Sequence, residues 1–163
     1  KTYLQVLPAL VGLIDKAESH AREAGLDESA LLSAKLAPDM WAFSKQVFQT
    51  VSHSQGTING LKAGEYSPNI AAAPSGYAAL REHVQQAIDA LRALDPAEVN
   101  ALENGEMTFV FGETRLPFTP MDYVLSFGLP NFYFHATSAY AILRNQGVPV
   151  GKVDFLGALR LKA

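Results

Sequence analysis

The chain has 163 residues, of which 48% are hydrophobic and 18% are charged, and its formal net charge is −3. This length and hydrophobic content suffice for one buried core, so we expect a single domain over residues 1–163. The absence of cysteine excludes disulfides, thiolate catalysis and cysteine-ligated metal sites. The sequence has no cluster of Lys and Arg, no apolar run of about 18 residues and no basic-then-apolar segment at its start. We therefore expect a cytoplasmic protein that binds neither nucleic acid nor a membrane.

Apolar residues recur at helical spacing in the first half of the chain and predict two long helices. The first covers 4–21 and ends at Gly25, a residue suited to the left-handed conformation that closes a helix. A short helical turn is expected at 29–35. Pro38–Asp39 then predicts the start of a second helix, because proline in a first turn loses no hydrogen bond. Its apolar stripe extends to Leu61.

The middle of the chain predicts a loop, a third helix and a hairpin. Residues 63–74 hold two prolines and no helical period, which is typical of a long loop. Ser75 predicts the cap of a third helix, and Asp95–Pro96 predicts its end. Two β-rich runs at 107–111 and 114–118 flank a turn that contains glycine, so we expect a small β-hairpin here.

A fourth helix follows the hairpin. Thr119, with proline next and Asp122 three residues on, is a strong start signal. Pro130 is expected to kink this helix, and Gly147 to end it. The sequence leaves the structure of the tail at 150–163 open. Four long amphipathic helices predict an all-α four-helix bundle, with the small β-hairpin before the last helix.

Polar side chains lie at the centre of the apolar face of the fourth helix. At 100° per residue, Asn131, His135 and Ser138 fall within about 60° of one another and should point into the bundle. Buried polar groups need partners, since an unpaired one costs about 1–3 kcal/mol. Two interpretations remain open at this point. His135 is a satisfied core histidine, or the three residues form a metal centre or polar ligand pocket with a facing helix.

The other histidines do not converge on His135 by periodicity. His53 lies about 110° from the apolar stripe of the second helix and is expected to face solvent or a bundle edge. His20 and His83 flank their stripes and are expected at the exposed surface. The chain also lacks the motifs of nucleophile elbows, zincins and di-iron bundles.

Two segments carry a family resemblance. LAPDMWAFSKQV at 36–47 and LPNFYFHATSAYAILRNQGVPVGKVDFLG at 129–157, with the four-helix pattern, resemble the DinB-like superfamily, in particular its uncharacterised domain-of-unknown-function branch. The resemblance implies an up-down-down-up four-helix bundle that is often dimeric. In many such proteins three histidines bind a divalent metal, and thiol-dependent transferases are built on that site. Carried across, those three positions fall on Gln46, Asn131 and His135.

The two amides in place of histidines predict that the metal site is lost, because amide side chains are weak ligands for first-row transition metals. We therefore expect no cofactor and no metal. The expected function is a polar-pocket binding or interaction protein, with or without a small-molecule ligand, whose pocket comprises Gln46, Asn131, His135 and Ser138. The alternative is a divalent-metal-dependent hydrolase or thiol transferase that recruits another ligand, such as His53 or Asp39.

Aromatic residues outside the expected core predict a homodimer, as the resemblance also implies. Tyr133 and Tyr140 are spaced i, i+7 on the outer face of the fourth helix, and the hairpin adds Phe109, Phe111 and Phe118. Exposed aromatic clusters tend to mark interfaces, and bundle dimers usually pair about a two-fold axis. The alternative is that the hairpin folds back over the bundle and buries its own phenylalanines.

Overall fold

The computed structural model describes residues 1–162, which form a mostly helical fold with a small three-stranded sheet. The helices are α1 (Tyr3–Glu23), α2 (Glu28–Leu32), α3 (Phe43–Ser52), α4 (Gln55–Ala63), α5 (Tyr77–Arg92), α6 (Pro96–Ala101), α7 (Pro120–Tyr123), α8 (Leu129–Asn145) and α9 (Lys152–Leu156). The strands are β1 (Glu65–Tyr66), β2 (Met107–Phe111) and β3 (Thr114–Phe118). Within the described residues, no helix has both the length and the apolar character needed to cross a membrane.

The core lies between two helix pairs. α1 packs against α5, and α3 packs against α8. The helical period places Leu7, Leu10 and Ile14 of α1 in the core, where they are fully buried with Phe43 of α3 and Phe132 of α8. Burying an aliphatic or aromatic side chain of this size contributes about 1.5–3 kcal/mol relative to exposure. This apolar packing fixes α3 against α8, the two helices that carry most of the predicted pocket residues.

The second predicted helix starts later than expected. Residues 37–40 form a turn, closed by the Met40 N–H donating to the carbonyl of Ala37 at 3.0 Å, and α3 begins only at Phe43. The Phe43 N–H donates to the carbonyl of Ala34 at 2.9 Å, which ties the start of α3 to the end of α2. The prediction of a helix start at Pro38–Asp39 is therefore wrong, because this tether holds the intervening segment out of the helix.

The same helix is also interrupted, between α3 and α4. Ser54 has φ −110° and ψ −80°, outside the helical region, and its hydroxyl donates to the carbonyl of Val51 at 2.9 Å. The hydroxyl of Thr57 donates to the carbonyl of His53 at 3.0 Å. Hydroxyl side chains that bond to nearby backbone compete with the regular helix ladder. The break ends α3 just before His53. The His53 N–H still donates to the carbonyl of Gln49 at 2.9 Å, so His53 keeps the helical phase of α3.

The sheet contains the predicted hairpin and one further strand. β2 and β3 pair antiparallel, with Met107 opposite Phe118, and β1 pairs parallel to β2, with Tyr66 opposite Phe109. The expected loop at 63–74 thus contains a strand, which at two residues is too short to have a recognisable period. Gly60 permits it to lie on α4, because a Cβ there would be 2.9 Å from the Cβ of Tyr66.

The last long helix begins as predicted, with the Asp122 N–H donating to the Thr119 hydroxyl at 3.1 Å. A π-helical turn at Val124–Gly128 then precedes Pro130, which lies in the first turn of α8 where its missing N–H is tolerated. Asn131 Nδ2 donates to the carbonyl of Phe127 at 2.8 Å, within this turn. After α8, the tail forms α9, which packs on α1.

Candidate functional site

The centre of the candidate site is a hydrogen bond between α3 and α8. Gln46 Oε1 lies 2.8 Å from Nδ1 of His135, and Gln46 Nε2 donates to the carbonyl of Trp41 at 3.2 Å. Because a backbone carbonyl only accepts, it fixes the orientation of the amide and leaves Oε1 facing the imidazole. Oε1 also only accepts, so Nδ1 carries the proton of the ring. His135 therefore keeps its lone pair on Nε2.

Both side chains of this pair are buried. Burial, and secondarily the neighbouring His53 and the Lys45 ammonium, lowers the pKa of His135 from 6.5 to about 4. The ring is thus neutral at pH 7, in agreement with a single proton on Nδ1. A group with a pKa this low is a poor general base near neutrality, since efficient bases have a pKa close to the working pH. The arrangement suits hydrogen-bond acceptance better than proton abstraction.

A second histidine lies beside the first, and the expectation that His53 faces solvent is wrong. Its side chain is only 4% exposed, and its ring stacks on His135 with centroids 5.4 Å apart and planes 17° apart. Burial lowers the pKa of His53 to about 4, and its buried Nδ1 has no hydrogen-bond partner among residues 1–162. The prediction failed because α3 buries its polar face as well as its apolar stripe: Gln46, Gln49 and Thr50, which share the face of His53, are all buried. The i, i+3, i+4, i+7 spacing of these polar residues was the available signal for a second buried face.

An exposed indole covers the pair. The Trp41 ring stacks on His135, with centroids 5.6 Å apart and planes 20° apart, although 47% of Trp41 is exposed. The Lys45 ammonium lies 5.5 Å from the centre of the Trp41 ring and donates to the carbonyl of Ala71. Since Trp41 precedes α3 and lies outside any regular element, the covering ring belongs to a connecting segment rather than to a helix.

The other two predicted pocket residues take no part in the Gln46–His135 hydrogen bond. The amide of Asn131 is directed to the Phe127 carbonyl, as described above. Ser138 is buried and lines a surface groove of about 530 Å³, whose lining includes Phe134 but not His135.

The remaining histidines, His20 and His83, lie away from this pair and are half-buried rather than fully exposed. His83 stacks on Phe48 with centroids 5.1 Å apart, and burial lowers its pKa. Neither residue supplies a third imidazole to His53 and His135.

The donor set does not fit the three-histidine metal site that the family resemblance implies. His53 and His135 supply two imidazoles, and the oxygen of Gln46 already accepts from His135. Asp39 is exposed in the turn before α3. Over residues 1–162, no group of three or more His, Cys, Asp or Glu side chains is arranged to hold a metal ion. The residues around Gln46 and His135 therefore form a polar hydrogen-bonding site.

Comparison with known proteins identifies the family. Residues 1–156 match the family described as a domain of unknown function, DUF1993. The chain belongs to this family. It is also similar to a crystal structure of a DinB family member protein from Shewanella denitrificans, with a TM-score of 0.83 and 27% identity over 99% of this chain and 91% of the other. The predicted DinB-like relationship is thus confirmed. No match was found among curated proteins.

Proposed function

We propose that this DUF1993 protein is a metal-free binding protein, an up-down-down-up helical bundle whose polar site is centred on Gln46 and His135. The observation that carries the proposal is the chain of hydrogen bonds from the Trp41 carbonyl through Gln46 to His135. This chain holds the His135 ring neutral with its lone pair on Nε2, and the rings of Trp41, His53 and Phe134 surround the imidazole. A ligand hydroxyl or amide N–H would donate to this nitrogen, and Asn131 and Ser138 lie one turn before and one turn after His135 on α8.

The ligand class follows from the same geometry. Trp41 is stacked on His135 but half exposed, so its displacement is the shortest route to the imidazole. A molecule that replaces the indole needs a flat face to stack on the ring, and it needs a donor to satisfy Nε2. We therefore propose a small, neutral aromatic or heteroaromatic molecule that carries a hydroxyl or N–H group.

Phenol and anisole test this proposal, because they share a ring and differ in the hydroxyl donor. In nitrogen-15 NMR, phenol is expected to shift the Nε2 resonance of His135, and anisole is expected to leave it unchanged. The variant His135→Phe should lose the phenol effect on the resonances of Trp41, whereas His20→Phe, a histidine far along the chain in α1, should retain it. Equal effects of phenol and anisole, or no effect of either, would refute a donor-binding site at His135.

The alternative function is a divalent-metal-dependent hydrolase or thiol transferase. One observation favours it: the ring of His53 stacks on the ring of His135, so two imidazoles are already close. Elemental analysis of protein purified without a histidine tag separates the two functions. The metal-free proposal expects less than about a tenth of an equivalent of zinc, nickel, iron or manganese per chain, since a genuine site binds tightly. A stoichiometric metal would refute the metal-free proposal and support the alternative.

We also propose that two copies associate as a homodimer through the outer face of α8. Tyr133 and Phe134 are 41% and 55% exposed and line the same groove as Leu36. Tyr140 is partly covered by Phe155 of α9, so the contact would centre on the first half of α8. Light scattering at micromolar concentration is expected to give twice the chain mass of 17.6 kDa. The variant Phe134→Lys should give the single-chain mass, and Phe111→Lys in the hairpin serves as the matched control.

A further inference from the structure

A pair of apolar cavities lies beneath α6 and shares no lining residue with the Gln46–His135 site. The larger has a volume of about 510 Å³ and the smaller about 200 Å³. Tyr3, Ile58, Val99 and Asn100 line both of them. The two cavities, called chambers below, are therefore adjacent, and these four residues lie between them.

The segment over these chambers is weakly held. It consists of α6 and the 3-10 turn at Leu102–Asn104, and we call residues 95–104 the strap. α6 has no buried residue, and only Val99 and Leu102 of the strap pack against the core. Segments with few buried apolar contacts open at a small fraction of the global unfolding free energy. The strap can thus admit a molecule to the chambers without unfolding the domain.

The two ends of the chambers differ in charge. Lys1 and Arg92 border the larger chamber, and Glu103 borders the smaller. The nearest carboxylate to Arg92 is Asp89, at 3.9 Å, and both side chains are well exposed, so this ion pair is weak. Arg92 is thus available to a second anion. A bound anion would lie at the Arg92 end, because Glu103 would repel it from the other.

We propose that the chambers bind an unbranched aliphatic carboxylate of medium length. Its carboxylate would pair with Arg92 and Lys1 at the mouth of the larger chamber, and its chain would pass Val99 into the smaller one. Ligand pockets of this kind are mostly apolar and use a few polar groups to fix orientation. The chamber walls supply the apolar part through residues such as Leu4, Ile58 and Leu91.

The first experiment varies the length of the ligand's carbon chain. Butanoate, hexanoate, octanoate and decanoate are titrated below their critical micelle concentrations, and binding is followed by NMR. Burial of one methylene group is expected to raise affinity about fourfold, so affinity should climb steeply along this series. The shifted resonances should be those of Ile58, Val99 and neighbouring residues. An affinity independent of chain length, or shifts spread over the whole surface, would overturn the proposal.

The anion and the passage are tested with variants. Arg92→Gln should weaken octanoate at least threefold and leave octan-1-ol unchanged, whereas Arg22→Gln, an exposed arginine in the last turn of α1, should change neither. Val99→Phe should weaken decanoate at least tenfold and hexanoate little, because only the longer chain has to pass Val99. Equal effects of the two arginine variants, or equal effects of Val99→Phe on the two acids, would overturn the proposed pose.

Discussion

Two regions of the molecule differ in polarity beneath the surface. The region between α3 and α8 buries polar side chains, whereas the region under α6 contains mainly apolar cavities. Between α3 and α8, polar side chains are buried, and Gln46 and His135 satisfy each other across two helices that are themselves fixed by core packing. Under α6, the two chambers are lined mainly by apolar side chains, and the segment that covers them has no fully buried side chain. Buried polar groups are stable only with hydrogen-bond partners in fixed positions, whereas an apolar cavity only has to be shielded from water. We therefore expect substitutions in the first region to lower the global unfolding free energy, and the segment over the second region to open locally.

The largest expected difference between the two regions is in their response to acid. Burial lowers the pKa of both His53 and His135 to about 4, from 6.5 in an unfolded chain. Above pH 6.5, the two rings are neutral in both the folded and the unfolded state, so they cost no stability there. Between pH 6.5 and 4, the unfolded state binds more protons than the folded state. The two histidines progressively destabilise the fold as the pH falls toward 4. At 1.36 kcal/mol per pKa unit, each could remove about 3 kcal/mol.

Urea denaturation at pH 7, 5.5 and 4 measures this effect. Substitution His135→Gln should reduce the loss of unfolding free energy between pH 6.5 and 4, since one of the two titrating rings is gone. His20→Gln should retain the loss, because His20 is not part of the buried pair. A pH profile identical in the wild type and His135→Gln would show that His135 does not titrate abnormally.

Removal of one partner of the buried hydrogen bond is the next largest change. In Gln46→Leu, the Nδ1–H of His135 loses its acceptor, and we expect a loss of about 2 kcal/mol of unfolding free energy. The double variant Gln46→Leu/His135→Leu should recover part of this loss, because both polar groups are then absent. Gln85→Leu, on the exposed face of α5, is the control and should stay within about 0.5 kcal/mol of wild type. An unchanged unfolding free energy in Gln46→Leu would show that this hydrogen bond does not stabilise the fold.

A smaller effect is expected at the strap. The Asp95 carboxylate accepts the N–H of Ala97 at 2.9 Å and caps α6. Loss of an N-cap typically costs about 1 kcal/mol. In Asp95→Ala, this should accelerate hydrogen exchange of the α6 amides, with little change in global stability. The cap variant Thr119→Ala before α7 should instead lower global stability, because the following turn holds the buried Tyr123. Equal global losses would show that the strap does not open independently.

The smallest expected effect is at Val99, where truncation to Ala removes a half-buried side chain. The unfolding free energy should fall by less than about 1 kcal/mol, because the side chain is only partly removed from water. Val47→Ala in α3, which is fully buried, should cost more than Val99→Ala. Comparable losses at the two positions would mean that the strap is part of the core.

The amino-acid sequence by itself determined the elements with local signals. Helical periodicity located three of the long helices and the region of the second, although neither its start nor its interruption. The hydroxyl of Thr119 with Asp122 marked the start of the last helix, and two β-rich runs around a turn that contains glycine marked the hairpin. The polar stripe on the last helix also followed from 100° per residue. The importance of Gln46 came from the family resemblance, and not from periodicity. These features depend on residues a few positions apart, which is why local rules describe them.

Only the tertiary structure decided which residues from distant parts of the chain contact each other. Burial of the polar face of α3 placed His53 in the core instead of at the expected surface, and the Trp41 carbonyl selected which end of the Gln46 amide faces His135. β1 exists because Gly60 lets two residues approach α4 and pair with β2. The chambers under α6 are spaces between elements far apart in sequence. Such outcomes depend on contacts between distant segments, which no local period of the sequence encodes.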